Sequence, residues 1–294
     1  MTEEIMDRNA DKLYDAGIVF EGGGLRGIFA AGVIDYLLDN NILIKNVLGV
    51  SAGVCHACSY VSGQRGRSYA VSTDYLNDKR YMSFESLRKT GDLFGSDFIY
   101  HQIPEDLYPI DNEFFKESGF VLRAGVTNCL TGEPEYLEVK DLLEDVEMVR
   151  ASSSLPLLAK MVYIDGIPYM DGGIADSVPV RASEALGNRK NVVVLTRPAG
   201  YRKEKEKMIA AIALRYKKYP EMVKALSERY KTYNETMDYI DEGVENGTIF
   251  RIAPMGDLGI GRLEKDHNKL KKAYQEGYFV AEGLGEKLKA FLDD

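Results

Sequence analysis

Short apolar runs alternate with amphipathic stretches along this chain. Residues 17–21, Gly-Ile-Val-Phe-Glu, have the unbroken apolar character of a strand covered on both faces. They run into a glycine-rich loop at 22–27. Residues 28–40 then place Ile28, Val33, Ile34, Leu37 and Leu38 on one side of a helix. Residues 47–50 form a second buried strand, which ends in a serine turn followed by a small-residue helical segment. Strand, glycine loop, helix, strand, serine turn, helix is a parallel βαβ opening. Residues 120–127 and 136–139 read as strands. Residues 161–164 and 167–170 read as a hairpin around Asp165-Gly166, and 191–196 and 248–253 as later buried strands. Residues 68–120 are irregular and rich in apolar and aromatic residues, among them Tyr81, Phe94, Ile99 and Tyr100. Such a stretch lines an acyl-chain pocket or lid, or forms a subsidiary core under long loops.

The character changes beyond Tyr201. Residues 201–231 carry ten basic and four acidic side chains, a local charge of +6. From Val223 a helical seam runs through Leu226, Tyr230, Tyr233, Met237, Ile240 and Val244, with Pro220 at its expected first turn. Packing on the body is the usual use of such a seam. Pairing with a second subunit, or lying on an anionic membrane, are the alternatives. Residues 263–292 read as mostly helix, and residues 1–15 as a polar N-terminal arm. The rest, 16–294, reads as one unit, with a motif-bearing core at 16–180 and a helical C-terminal part at 201–294.

The 294 residues suffice for one large α/β domain or two small ones. The net charge of −9 argues against nucleic acid as a partner. No apolar run is long enough to span a bilayer, and the charged N-terminus has no signal-peptide pattern, so a cytoplasmic protein, peripheral to a membrane at most, is expected. Three cysteines make a disulfide framework unlike this chain. Cys55 and Cys58 have redox spacing, but on a buried helix such residues are commonly small hydrophobes. No metal site and no cofactor are expected.

The chemistry concentrates in three places. Gly49-Val50-Ser51-Ala52-Gly53 closes the second strand. A serine at a sharp strand-to-helix turn is pushed out of the ladder, and a Cβ at Gly49 or Gly53 would collide as strand and helix close. Ser51 would also sit at a helix N-terminus, where unpaired N–H groups favour developing negative charge. The loop carrying Gly22, Gly23, Gly24, Arg26 and Gly27 matches the dinucleotide fingerprint by letter. However, Ser51 stands where a ribose-binding acid belongs at the end of the second strand, which counts against a nucleotide-binding oxidoreductase. Successive glycines instead offer unobstructed amides to an oxyanion. Asp171-Gly172-Gly173, after the hairpin, delivers a carboxylate with little steric bulk behind it. A Ser-Asp-His scheme needs a histidine, and His267 supplies the right chain order but sits in a solvated stretch. A non-catalytic lipid-binding protein is the remaining alternative.

The glycine loop ending in Arg-Gly, then Gly-x-Ser-x-Gly, then Asp-Gly-Gly, in that order, resembles the patatin-like phospholipase family. The resemblance covers roughly residues 16–180, and residues 259–266, Gly-Ile-Gly-Arg-Leu-Glu-Lys-Asp, are similar to a bacterial branch of it. It implies a three-layer α/β/α fold with a mainly parallel central sheet, plus C-terminal helices. It also implies Ser51 as nucleophile, Asp171 as base and the residue 22–27 loop as oxyanion hole, acting on lipid or acyl-ester substrates. An ordinary aspartate is a weak base for a hydroxyl, so the loop amides must contribute much of the rate.

Overall fold

The computed structural model describes residues 13–261 and 263–294. Its sheet has eight strands: β1 (Tyr14–Phe20), β2 (Ile44–Val50), β3 (Val121–Asn128), β4 (Pro134–Val139), β5 (Val162–Ile164), β6 (Ile167–Asp171), β7 (Asn191–Val194) and β8 (Ile249–Ile252). The order is β5-β6-β3-β2-β1-β7-β8, with β4 also paired to β3. β3, β2, β1, β7 and β8 run parallel, whereas β4 and β6 pair antiparallel with β3, and β5 pairs antiparallel with β6. The sheet is therefore mixed but mainly parallel, as expected. Tyr14 and Asp15 belong to β1 rather than to an arm, and residues 1–12 lie outside the described residues.

The helices are α1 (Ile28–Asp39), α2 (Ala52–Val61), α3 (Arg67–Thr73), α4 (Phe84–Thr90), α5 (Asn112–Ser118), α6 (Val146–Ser152), α7 (Val180–Ala185), α8 (Ile209–Arg215), α9 (Pro220–Glu245) and α10 (His267–Asp293). Strand periodicity divides the apolar residues between two faces. Ile18, Phe20, Val47, Val192 and Val194 face a core shared with α1, α2 and α10. Val19, Leu48, Val193 and Leu195 face the opposite way, against Tyr233, Met237 and Ile240 of α9. The result is a three-layer α/β/α sandwich. The α9 seam therefore packs on the body, with Pro220 in its first turn, although Val244 at its far end is exposed.

Residues 68–120 are more regular than their sequence pattern indicates, since α4 and α5 form there along with a π-helical stretch, Phe98–Leu107. Short helices of seven residues capped by Ser83 and Asp111 are too brief to display an apolar period. The helix expected over 263–292 starts later, at His267, where Asp266 accepts from the Asn268 and Lys269 amides. Arg262, within the branch-like motif at 259–266, lies outside the described residues.

The chain steps from β1 to β2 to β3 in one direction, then returns to place β7 and β8 on the other side of β1. Open α/β sheets leave a crevice beyond the strand C-termini where the order reverses in this way. The glycine loop follows β1, Ser51 follows β2, and Thr196 and Arg197 follow β7, so all three segments meet there.

Candidate active site

Ser51 occupies the turn between β2 and α2 with φ 56° and ψ −129°. This region is strained for any residue with a Cβ. Two features hold it there. The Ser51 amide donates to Ser152 Oγ at 2.9 Å, and that hydroxyl donates in turn to the Gly125 carbonyl at 2.6 Å. Gly49 and Gly53 let the strand and helix approach: a Cβ on Gly49 would meet the Val54 amide at 2.6 Å, and one on Gly53 would strike the Phe20 carbonyl.

Asp171 is the last residue of β6, paired across from Val126 of β3. That register brings it beside Ser51, since Gly125 is the partner of Val50. Ser51 Oγ donates to Asp171 Oδ2 at 2.7 Å. The other carboxylate oxygen accepts from the Gly173 amide at 2.8 Å, while the Asp171 amide donates to the Ser154 carbonyl and the Thr127 hydroxyl to the Asp171 carbonyl, each at 2.9 Å. Asp171 is 1% exposed, so its orientation is set by these partners and not by solvent. Gly172 is packed so closely on the Gly125 carbonyl that no side chain fits.

The glycine loop lies against the serine. A Cβ on Gly22 would come within 2.8 Å of the Val50 carbonyl oxygen and 2.9 Å of Ser51 Cβ. Gly24 has φ 56°, which turns the chain into a short 3₁₀ segment, Gly24–Gly27, leading into α1. Arg26 is buried within that segment, and Gly27 packs on the His56 imidazole. Glu21 anchors the loop's start: it is buried, and accepts from the Thr196 amide at 2.6 Å, the Thr196 hydroxyl at 3.1 Å and the Tyr233 hydroxyl at 2.9 Å.

Gly22, Gly23, Gly24, Arg26, Ser51, Asp171 and Gly173 thus line one crevice, while Gly27, Gly49, Gly53 and Gly172 pack tightly against their neighbours. The histidines are occupied elsewhere. His56 is buried with Nδ1 3.3 Å from Ser68 Oγ, and burial lowers its pKa to about 4, so it is neutral. His101 pairs with Glu105, and His267 is exposed at the start of α10. Cys55 and Cys58 are free thiols, and burial pushes Cys58 up to about 12. Among the described residues, no group of three or more His, Cys, Asp or Glu side chains could hold a metal ion.

Two cavities share Gly24, Ser51 and Leu155 in their walls. One, of about 150 Å³, is apolar, lined by Leu25, Val71, Phe94, Ile99 and Tyr100. The aromatic stretch therefore serves both as pocket wall and as subsidiary core, because Leu93, Phe98 and Ile103 form a cluster with Leu25 and Ile28 behind it. The other, of about 290 Å³, is polar and includes Arg197, Lys203 and Arg229.

A family model described as patatin-like phospholipase matches residues 18–183, more than half of the chain. The chain belongs to the patatin-like phospholipase family. Residues 219–293 match a second model, described as a domain of unknown function. An uncharacterized protein, YjjU, of Escherichia coli (strain K12) is 32% identical over 62% of this chain and 52% of its own length. A probable lipid hydrolase, 463L, of Invertebrate iridescent virus 6 is 23% identical over 60% of the chain and 66% of its own length. Lysophospholipase NTE1 of Yarrowia lipolytica is 30% identical over 58% of the chain but only 12% of its own length. The chain thus spans about half to two thirds of the first two relatives and a small part of the third. Among solved structures, VipD from Legionella pneumophila has the same patatin-like fold, with a TM-score of 0.54 at 14% identity, covering 95% of this chain and 67% of that one.

Sequence reasoning missed Ser152, Glu21, Thr196 and Arg229. Ser152 had a signal, the serine run 152–154, but nothing in the sequence ties it to a turn a hundred positions earlier.

Proposed function

We propose that this patatin-like protein is a carboxylic ester hydrolase of lipid substrates, working through a Ser51–Asp171 dyad. The 2.7 Å hydrogen bond from the strained Ser51 hydroxyl to a buried carboxylate carries this reading. Ser51 Oγ attacks the ester carbonyl carbon as its proton passes to Asp171 Oδ2. The carbonyl oxygen becomes an oxyanion facing the amides of Gly23 and Gly24, each such donor contributing about 3 kcal/mol to the transition state. The leaving alkoxide takes the proton from Asp171, and a water molecule, deprotonated by the same carboxylate, then hydrolyses the acyl-enzyme. The apolar cavity beside Ser51 suits an acyl chain.

Fluorophosphonate labelling combined with hydrolysis of p-nitrophenyl esters and lysophospholipids tests the proposal. Wild type should be labelled and active, and Ser51→Ala neither. Activity surviving in Ser51→Ala would end it.

We also propose membrane contact through residues 201–231. Leu214 on α8 is 79% exposed and Met208 55%, near Lys207, Arg215, Lys217 and Lys218. Apolar side chains flanked by cations suit an anionic bilayer surface. Sedimentation with anionic vesicles should fall for Leu214→Glu, and equal sedimentation would remove the proposal. Among the described residues no helix is long and apolar enough to cross a membrane.

A further inference from the structure

The C-terminal segment matched to a domain of unknown function reaches into the active site, and its contribution is cationic. α9 passes the crevice with Leu226, Arg229 and Tyr230 in the wall of the polar cavity. Arg229 is half-buried, with its guanidinium 3.3–3.4 Å from the Ser177 hydroxyl. One of its terminal nitrogens and Asp171 Oδ1 each lie 2.9 Å from the same point, the position a Cβ on Gly173 would take. The guanidinium therefore stands beside the carboxylate that holds Ser51. We propose that the polar cavity is a subsite for the phosphate of a lipid headgroup, with Arg229 as its central cation and Lys203 as a second. This deepens the ester-hydrolase reading above and rests on it.

The argument is one of shape and charge. An ester bound with its carbonyl at Ser51 has two arms, and two cavities leave that residue. An acyl chain belongs in the apolar one, so the alcohol arm enters the polar one. There it meets Arg26, Lys203 and Arg229, contributed by separate segments, with Arg197 in the same wall but paired to Asp257. Of the four acids of the same wall, Glu204 is exposed and the other three accept hydrogen bonds. Glu21 accepts three hydrogen bonds, Asp171 holds Ser51 and the Gly173 amide, and Glu206 accepts from the Met208 amide. Arg202, at the rim, is drawn outward to Asp238 and Asp241. The Lys203 ammonium lies 4.1 Å from the centroid of the Tyr233 ring, a contact that keeps its stem against the wall. A planar guanidinium matches two phosphate oxygens at once, and a nearby ammonium adds a point charge. Because Arg229 stands within a few ångström of Asp171, a phosphate held there also sets the distance between headgroup and scissile carbonyl.

The test compares 1-oleoyl-glycerol 3-phosphate with 1-oleoyl-glycerol in mixed micelles, and reads the ratio of their kcat/KM values. The two substrates share acyl chain and ester, so the ratio isolates the phosphate. Arg229→Gln should lower the ratio at least tenfold, chiefly through KM of the phosphate ester. Arg229→Lys should restore part of it, and Lys203→Gln should lower it severalfold should Arg229→Gln fold poorly. High salt should reduce the wild-type ratio. A ratio unmoved in both Gln variants, or equal losses on both substrates, would overturn the subsite and leave Arg229 acting on Asp171 alone. Inorganic phosphate is expected to inhibit 1-oleoyl-glycerol hydrolysis weakly. Strong inhibition together with an unmoved ratio would assign the cations to free phosphate and overturn the headgroup proposal. Wild type that takes no fluorophosphonate label and cleaves neither lipid would sink the hydrolase reading instead.

Discussion

Ser51 sits at φ 56° and ψ −129°, where a Cβ is strained, and the cost of that strain can be measured separately from the chemistry. Ser51→Ala and Ser51→Gly both remove the hydroxyl and its hydrogen bond to Asp171, so that loss cancels between them. What differs is the Cβ. A non-glycine residue held in such a region costs about 1–3 kcal/mol. Glycine surrenders about 0.5–1 kcal/mol more backbone entropy on folding. The glycine variant should therefore be the more stable of the two by about 1 kcal/mol. In a chain of 294 residues that is close to 2 °C in Tm, from an unfolding entropy of about 2.1 cal/mol/K per residue. Urea unfolding followed by circular dichroism resolves the difference. Both variants should be inactive. A glycine variant equal to or weaker than the alanine variant would show that the turn is not strained, and the reason for an exposed, pre-aimed hydroxyl would fall with it.

Asp171→Asn should lower kcat on p-nitrophenyl butyrate by about 10²–10⁴, the range of a positioned general base, while His267→Ala stays close to wild type; the reverse pattern would overturn the dyad. Ser152→Ala removes the acceptor of the half-buried Ser51 amide and a donor to the buried Gly125 carbonyl, and should cost about 1–3 kcal/mol in urea unfolding along with slower fluorophosphonate labelling. Labelling at the wild-type rate would show that other contacts fix the turn. His56 titrates at about 4 when folded against 6.5 when free, so below pH 6.5 the unfolded chain takes up the proton first. Stability should accordingly fall as pH drops from 6.5 toward 4, by about 3 kcal/mol from this residue, offset in part by buried Asp35, whose pKa is raised. Urea unfolding at pH 7 and pH 4 should lose this increment in His56→Gln. Parallel losses in wild type and variant would exclude His56 as the source.

The parts of the site that sequence makes legible are those with local signatures. Gly49, Ser51 and Gly53 announce a turn because strand and helix need small residues on either side of the serine. The glycine loop is legible for the same reason, and the β1–α1–β2 unit follows from periodicity. The supports were not legible. Glu21 reads as the end of an apolar strand, yet its partners Thr196 and Tyr233 come from the segment after β7 and from α9, joined only by folding. Arg229 lies in a helix whose apolar seam says where it packs, but its neighbours on the body come from another part of the chain. Pairing of β6 with β3 decides where Asp171 lands, and register between distant strands leaves no local trace.

The last helix bears on where this protein could be divided. α10 lies so close on α1 that Gly32 faces the Tyr274 carbonyl and Gly277 the Phe29 carbonyl with no room for a side chain. The Tyr274 hydroxyl bonds to buried Asp35 of α1 at 2.6 Å. α1 is the helix that the glycine loop runs into. A fragment trimmed to the motif-bearing half would keep all the reacting groups and lose the buttress behind them. The stretch between the two family matches is therefore not a line along which the molecule comes apart.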